Sequence, residues 1–210
     1  MESEVRFYFP TKDYDFWVDK LKGIGELEFM GVNYEKTTQY NHPMPEFDYY
    51  DKSKIDARFR IRVIKGSNKE GCLVSWKRRL KQQQETRVNQ EEEVELHIQA
   101  EEYENLIFIV ENSLHMVRVE SYERYRNVFK NNEVEIVVDK YPFGVAIEIE
   151  AKKDVLDVYS LINRYVNILG LSIDNRYKES WDDKYRGLCR EQNITIVKDV
   201  LFGEIMPEVK

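Results

Sequence analysis

Charged side chains recur at every second position along several segments of this sequence. In the segment 57–65, Arg58, Arg60 and Arg62 alternate with Phe59 and Ile61. Because successive side chains of a β-strand point to opposite faces, the three arginines lie on one face of an extended strand. Like charges at adjacent positions of one face repel each other, so these arginines need counter-anions, either carboxylates of other strands or a bound ligand.

Other short segments carry further charges with the same alternation. Guanidinium and ammonium groups suit the oxygens of phosphate, and clustered carboxylates suit Mg²⁺ or Mn²⁺, which bridge to phosphates. The basic residues that lie on the charged face of their predicted strand are Arg6, Arg58, Arg60, Arg62, Lys77, Arg79, Arg87, Arg124 and Arg126. The acidic residues that lie on the charged face of their predicted strand are Glu2, Glu4, Glu91, Glu93, Glu95, Glu133, Glu135, Asp139, Glu148 and Glu150. Together they indicate a site for a metal ion and a polyphosphate.

The segments that carry these charges read as antiparallel strands, since the alternate positions are largely apolar. The eight predicted strands cover residues 2–9, 27–40, 57–65, 72–80, 87–98, 116–129, 133–139 and 145–151. Strands three and four are mainly basic, whereas strands one, five, seven and eight are mainly acidic. This segregation favours an eight-stranded antiparallel β-barrel with the charged faces inside. The alternative is an open sheet whose charged face carries weak salt bridges in water.

Helices flank the predicted barrel, which makes the fold class α+β. Apolar residues at helical spacing predict helices over 11–22, 100–115, 154–169 and 175–190. A length of 210 residues suits one domain. We expect a barrel domain over residues 1–190 and a tail over 191–210 that packs on the barrel or extends from it. Charged residues make up 34% of the chain, above the roughly 25% of globular domains, and a charged interior accounts for the excess.

Composition excludes several classes of function. The formal net charge of −7 argues against a general nucleic-acid binder, which carries a basic footprint. No apolar run approaches the roughly 18 residues of a membrane span, and the acidic N-terminus lacks the features of a signal peptide. We therefore expect a cytoplasmic protein without a membrane partner. The two cysteines and three histidines are scattered, which gives little support to a zinc site or a His-based triad.

Short charged motifs follow one another in a fixed order along the chain. They are Glu2-x-Glu4-x-Arg6, Phe59-Arg60-Ile61-Arg62, Trp76-Lys77, Arg87 with Glu91 and Glu93, Arg124-x-Arg126, Asp139 with Gly144 and Glu148-x-Glu150, and Lys178-x-Ser180-Trp181. In this order they resemble the motifs of the CYTH family, the triphosphate tunnel metalloenzymes. The resemblance covers residues 2 to about 185. No single motif is specific, but the ordered set is typical of the family.

The resemblance implies an eight-stranded antiparallel tunnel, open at both ends, in which Mg²⁺ or Mn²⁺ assists the processing of a triphosphate. The implied metal ligands are Glu2, Glu4, Glu148 and Glu150, with Asp139, Glu91 and Glu93 as further candidates. The implied triphosphate-binding residues are Arg60, Arg62, Lys77, Arg124 and Arg126, to which the in-phase Arg58 and Arg79 and the motif residue Lys178 are added. The catalytic candidates are Glu4, Arg6 and Glu148.

Arg6 is a departure from the family pattern, which usually has lysine at this position. In hydrolytic members that lysine is thought to help orient or activate the attacking water. Arginine keeps the charge and the phosphate contact, but it does not lose a proton near neutral pH. If a base is needed there, this protein is slow, uses a carboxylate instead, or catalyses something other than simple hydrolysis.

Three functions are compatible with these residues. The first is a metal-dependent hydrolase of inorganic triphosphate, a nucleoside triphosphate or a thiamine-like organic triphosphate. The alternatives are a class IV adenylate cyclase, which makes cyclic AMP and pyrophosphate from ATP, and a non-catalytic module that binds polyphosphate or nucleotide. In each case the partner is a small-molecule triphosphate or nucleotide. The sequence leaves the oligomeric state open, a homodimer included.

A cyclase also needs a nucleoside pocket at the mouth of the tunnel. Aromatic side chains can stack on a base, although in proteins they more often pack in a core or at a rim. The aromatic candidates are Tyr40, Phe47, Tyr49, Trp181 and Tyr185.

Overall fold

The computed structural model describes residues 2–66, 70–80, 89–152 and 155–210, apart from the side chains of Glu2 and Gln90. The strands are β1 Glu2–Phe9, β2 Glu28–Asn41, β3 Ala57–Gly66, β4 Glu70–Arg79, β5 Asn89–Ile98, β6 Val117–Lys130, β7 Val134–Tyr141, β8 Gly144–Ala151 and β9 Asp199–Val200. The α-helices are α1 Tyr14–Lys22, α2 Tyr103–Phe108, α3 Val158–Ile168 and α4 Trp181–Gln192. Arg87, a predicted basic position, lies outside the described residues.

Strands β1 to β8 close into one antiparallel barrel. Around the ring the order is β1-β5-β4-β3-β2-β6-β7-β8, and β8 pairs with β1. Residues 28–41 of β2 pair with residues 117–130 of β6, and within the described residues β1 pairs with β5 over residues 2–4 and 89–91. The predicted eight-stranded barrel of an α+β fold is confirmed.

The main apolar core lies outside the barrel, between the sheet and two helices. Phe7 of β1 and Ile149 of β8 pack in one cluster with Leu21 of α1 and Ile162 of α3, and each of these side chains is at most 3% exposed. The helices thus cover the apolar face of these strands. Because side chains alternate across a strand, the charged face is left pointing into the barrel.

A second core closes one end of the barrel. Trp181 of α4 and Val209 of the tail pack there against Phe143, and the amide of Val209 donates to the carbonyl of Phe143 at 2.9 Å. Strand β9 of the tail also pairs with β6 in parallel. The tail approaches so closely that a Cβ atom on Gly144 would lie 2.6 Å from Cγ2 of Val209, so this position requires glycine.

Helix α4 is shorter than the sequence predicted. It begins at Trp181 rather than at residue 175, behind a capping box formed by Ser180 and Asp183. The preceding residues are extended because the amide of Tyr177 donates to the carbonyl of Arg6 at 2.7 Å. A non-local backbone pairing therefore outweighs the local helical pattern.

Two other predicted helices also differ in their bounds. Helix α3 begins at Val158, where the side chain of Asp157 accepts a hydrogen bond from the amide of Ser160. The predicted helix over 100–115 divides into a 3₁₀ turn, the short helix α2 and a π-helical turn over Ile109–Ser113. In the described part of the chain, none of the helices has the length and apolar composition that a membrane crossing requires.

Candidate active site

The charged faces of the strands line a cavity of about 290 Å³ inside the barrel. Every strand of the barrel except β2 contributes a side chain to this cavity, and Trp181 of α4 contributes from one end. The charged lining residues are Glu4, Arg6, Arg60, Arg62, Lys77, Glu93, Glu95, Arg124, Arg126, Glu135, Glu148, Glu150 and Lys152. The lumen is thus a polar chamber in which cations and carboxylates alternate.

Two arginines of β6 hold the centre of one wall. Arg126 binds Asp139 with two hydrogen bonds, from Nε at 2.7 Å and from Nη2 at 2.6 Å, and it reaches Glu148 at 2.8 Å. Arg124 lies 2.9 Å from Asp139 and 2.6 Å from Glu35 of β2. Asp139 has no exposed surface, so it fixes the two guanidinium groups from beneath.

The opposite wall continues the same alternation of charge. Nε of Arg6 lies 2.6 Å from Glu148, and its Nη2 lies 3.2 Å from Glu4. The ammonium group of Lys77 lies 2.6 Å from Glu91 and 3.6 Å from Glu4. Charge-assisted pairs of this kind orient both partners, so the cations are held in place around the cavity.

Arginine neighbours decide the ionisation of the central carboxylate. Burial alone would raise the pKa of Glu148, but Arg6, Arg126 and Arg124 outweigh burial and hold that pKa well below its usual range. Burial would likewise lower the pKa of Arg6, but Glu148 and Glu4 hold it above its ordinary value. Arg6 therefore stays protonated and cannot act as a base.

Helix α4 and its neighbours close the lumen at one end. Asp182 is 1% exposed and pairs with Arg58 at 3.3 Å and Arg186 at 3.4 Å. Glu120 of β6 pairs with Arg186 at 2.7 Å. The ring of Trp181 packs on Tyr122, with 4.2 Å between the ring centroids. We call this group of α4 residues and their partners, including Asp182, Trp181 and Glu120, the plug. A cavity of only about 60 Å³ remains between the plug and the main chamber.

Searches against protein families and curated proteins give no match to the chain. Solved structures are similar over most of its length. The PH1012 protein of Pyrococcus horikoshii is 20% identical, with a TM-score of 0.64 over 86% of this chain and 97% of that one. A Vibrio parahaemolyticus protein described as a candidate adenylate cyclase is 18% identical, with a TM-score of 0.61 over 87% of this chain and 95% of that one.

A third similar structure carries an activity in its description. It is HpAC1 from Hippeastrum, a candidate adenylyl cyclase described as having a dominant triphosphatase activity. It is 16% identical to this chain, with a TM-score of 0.59 over 93% of this chain and 98% of that one. The chain has the triphosphate tunnel fold.

Within the triphosphate tunnel fold, most of the predicted site residues meet in one place. Those that line the main chamber are Glu4, Arg6, Arg60, Arg62, Lys77, Glu93, Arg124, Arg126, Glu148 and Glu150. Arg58, Arg79 and Glu91 line the small cavity beside α4. Asp139 lies beneath the arginines of β6 and has no surface on the chamber.

Lys178 and Glu2 stand apart from this group. Lys178 is exposed and borders an outer pocket with Lys52 and Arg78, because the segment before α4 is extended rather than helical. The backbone of Glu2 pairs with Glu91, and its side chain lies outside the described part of the structure.

Three carboxylates of the tunnel lie side by side across neighbouring strands. Glu150 of β8 is directly opposite Glu4 of β1 and Glu135 of β7. Burial raises the pKa of Glu150 to about 7, and Glu4, Glu135 and Glu148 add to that rise against the opposing charge of Lys77. Within the described ranges no three such groups form a ready-made metal centre. Carboxylate oxygens on adjacent strands nevertheless suit Mg²⁺ or Mn²⁺, which prefer oxygen ligands and bridge to phosphate.

A tyrosine of the lumen is also perturbed. Burial would raise the pKa of Tyr122, but Arg62, Arg124 and Arg60 outweigh burial and lower it to about 8. Tyr122 lines the chamber beside Arg124 and Arg126 of the same strand. Its lowered pKa therefore reflects the positive potential in the tunnel.

Sequence reasoning missed the contribution of β2 and of the plug. Glu35, Thr37 and Gln39 of β2 are all buried, and their spacing of two residues was the signal that could have identified them. Asp182 and Glu120 were missed because nothing local indicates that α4 packs over the end of the barrel.

Proposed function

We propose that this chain is a metal-dependent hydrolase that binds a small-molecule triphosphate inside the barrel. The observation that carries the proposal is the convergence of cations from several strands on one chamber, with carboxylates on the adjacent strands. The cations are Arg60, Arg62, Lys77, Arg124 and Arg126. Arginine forks and lysine ammonium groups bind phosphate oxygens, so this wall holds the triphosphate.

The positions of the cations are set before the substrate arrives. Arg126 and Arg124 are fixed by Asp139 beneath them, and Arg60 is held at 2.9 Å by Glu93. Fixed charges aimed at phosphate oxygens stabilise a transition state without the cost of reorganisation. Arg6, held protonated by Glu148 and Glu4, binds a phosphate oxygen rather than accepting a proton.

The cofactor of the proposal is Mg²⁺ or Mn²⁺. Glu4, Glu148 and Glu150 are the residues that would hold it, together with Glu2 of the same motif, and Glu91 and Glu93 are further candidates. When bound, such an ion neutralises charge on the phosphate oxygens and lowers the pKa of a bound water. Asp139 is left out of this set because it has no exposed surface, whereas Glu148 lines the chamber even though Arg6 and Arg126 pair with it.

The second candidate is a class IV adenylate cyclase. Its support is the likeness to the Vibrio and Hippeastrum proteins described as adenylate or adenylyl cyclase candidates. A cyclase would use the same cationic wall but would direct the ribose hydroxyl at the α-phosphorus. No nucleic acid and no membrane is part of either proposal.

A product assay separates the candidates. Purified protein is incubated with ATP or inorganic triphosphate, each with Mg²⁺ or Mn²⁺, and the products are resolved by chromatography. Orthophosphate is the expected product and supports the hydrolase. Formation of cyclic AMP and pyrophosphate would contradict the hydrolase and support the cyclase. Binding of the triphosphate without turnover would indicate a non-catalytic sensor.

A further inference from the structure

Tyr122 of β6 brings a phenol hydroxyl into the cationic wall of the main chamber. The residue lines this chamber, and it is 1% exposed. Its ring packs on Trp181 of α4 and on Tyr141 of β7, with 4.2 Å and 5.8 Å between the ring centroids. Close packing on two sides restricts the orientation of a side chain, so the position of the hydroxyl is set by the fold.

A threonine of β2 fixes the hydrogen bonding of the phenol. Thr37 lies directly opposite Tyr122 in the β2–β6 pairing and has no exposed surface. Its hydroxyl oxygen accepts a hydrogen bond from Nε of Arg62 at 3.1 Å, and its own proton is donated to the phenolic oxygen. A phenol carries a single proton, so the proton of Tyr122 is left to point away from Thr37, towards the chamber.

The charges around the phenol are those of the proposed triphosphate wall. Burial would raise the pKa of Tyr122, but Arg62, Arg124 and Arg60 outweigh burial and lower it to about 8. On the lumen side of the surrounding elements, the other charged or titratable side chains are Arg6 and Tyr8 of β1, Glu35 of β2, Asp139 and Tyr141 of β7, Glu148 of β8 and Asp182 of α4. Each of these four carboxylates pairs with an arginine. The positive potential at the phenol therefore depends on the arginines that the substrate would bind.

A bound triphosphate would reverse this potential. Its oxygens would lie on Arg60, Arg62 and Arg124, the residues that stabilise the phenolate form of Tyr122. Several negative charges at hydrogen-bond distance disfavour a phenolate and favour the neutral phenol. The neutral phenol can donate a hydrogen bond to a phosphate oxygen, whereas a phenolate can only accept one.

We propose that Tyr122 is a further substrate-binding residue, whose hydroxyl donates a hydrogen bond to a phosphate oxygen, and that any phenolate at this position takes up one proton from solvent when the triphosphate binds. The proton adds to the phenolate oxygen, and no other covalent bond forms or breaks. This role rests on the proposed function, because it uses the same cationic wall. It adds a hydroxyl to the wall and an upper pH limit to substrate binding.

The pH dependence of binding has a definite sign. Below about pH 8 the free protein already carries the phenol, so the affinity is at its full value. Above that pH the free protein has lost the proton and must regain it in the complex, so the affinity falls by about tenfold for each further pH unit.

Binding of a hydrolysis-resistant analogue tests the role of Tyr122 without depending on turnover. Calorimetry measures the affinity of imidotriphosphate with Mg²⁺ at about pH 7 and about pH 9, and the ultraviolet absorbance of tyrosinate is recorded during a parallel titration. The variant is Tyr122→Phe, which removes only the hydroxyl. The matched control is Tyr141→Phe, which removes another hydroxyl of the chamber, one whose pKa burial raises above its ordinary value.

At about pH 7, Tyr122→Phe should bind the analogue about tenfold more weakly than the wild type, because it lacks one hydrogen bond to a charged group. At about pH 9 the two proteins should bind within about twofold of each other, because only the wild type must take up a proton. Protonation of the analogue itself affects both proteins equally, so the ratio of the two affinities isolates Tyr122. A merely structural role would weaken binding by the same factor at both pH values and would overturn the inference.

The absorbance of the wild type gives a second readout that needs no variant. At about pH 9 the analogue should reduce the tyrosinate absorbance of the wild type and of Tyr141→Phe, and it should leave that of Tyr122→Phe unchanged. An unchanged wild-type absorbance on binding would refute the role of Tyr122. Hydrolysis of inorganic triphosphate is measured alongside: hydrolysis without the absorbance change retains the hydrolase and refutes the inference, whereas the absorbance change without hydrolysis refutes the hydrolase and retains the inference.

Discussion

Replacing Glu35 with glutamine tests the electrostatics of the lumen most directly. Its carboxylate is 3% exposed and pairs with Arg124 at 2.6 Å and Arg62 at 3.5 Å. Burial alone would raise the pKa of Glu35, but Arg124 and Arg62 outweigh burial and lower it from 4.5 to about 2. Since one pKa unit corresponds to about 1.4 kcal/mol, the ionised carboxylate contributes about 3 kcal/mol to the free energy of unfolding at pH 7.

The pH dependence of this contribution has a definite sign. Because the folded pKa of Glu35 lies below the unfolded one, the contribution is fully present above about pH 5 and is lost as the pH falls towards about 2. At pH 3 about 1 kcal/mol of it remains. Glu35→Gln keeps the shape of the side chain and removes the charge, so it should destabilise the protein strongly at pH 7 and only weakly at pH 3.

Urea unfolding at the two pH values measures this difference. The control is Glu28→Gln, on the same strand but with an exposed carboxylate, which should leave the free energy of unfolding unchanged. Equal destabilisation by Glu35→Gln at both pH values would mean that packing, not charge, explains the loss. A loss below about 1 kcal/mol at pH 7 would refute the reasoning, because a broken buried ion pair costs more than that.

Three further expectations concern the chamber. Glu148→Ala should reduce metal-dependent turnover by more than 100-fold, because losing a residue that only supports a metal ligand already costs roughly 10–100-fold. The circular dichroism spectrum should stay unchanged. Turnover at the wild-type rate would show that Glu148 is not part of the active site. Arg60→Ala should raise the Michaelis constant about tenfold or more, because it removes a charge-assisted contact with the triphosphate. The control Arg78→Ala, which removes an outward-facing arginine, should leave the Michaelis constant unchanged. If Arg60→Ala also leaves it unchanged, Arg60 does not bind the triphosphate. Ultraviolet titration should show one tyrosinate that forms near pH 8. This titration step should be absent in Tyr122→Phe and present in Tyr141→Phe. If Tyr122→Phe leaves the step unchanged, the low pKa does not belong to Tyr122.

The sequence predicted those parts of the site that depend on strand alternation. Arg60 and Glu148 could be placed on the lumen face because a strand has only two faces, and a correct phase at one residue fixes the others. Asp139 was also in phase, but its burial beneath two arginines depends on the register between β6 and β7, which alternation does not specify. The prediction therefore recovered which residues face inward and not which of them reach the chamber.

The parts that the sequence did not predict depend on contacts between distant segments. Lys178 was grouped with the binding residues because of the motif Lys178-x-Ser180-Trp181, and the pairing of Tyr177 with Arg6 is invisible in that motif. The plug formed by Asp182 and Glu120 likewise needs α4 to fold back over the barrel. The alternation of side chains along a strand shows which face each residue of that strand occupies. It does not show which distant segment packs against the strand.

The pairing of β2 with β6 is the longest contact between two strands of the described barrel. It joins residues 28–41 to residues 117–130, and the ion pair between Glu35 and Arg124 crosses it. Separating two strands breaks the backbone hydrogen bonds between them, so a contact of this length opens only at a high free energy. The guanidinium groups of β6 are therefore carried on a strand that resists fraying, and their positions stay fixed while exposed loops fluctuate.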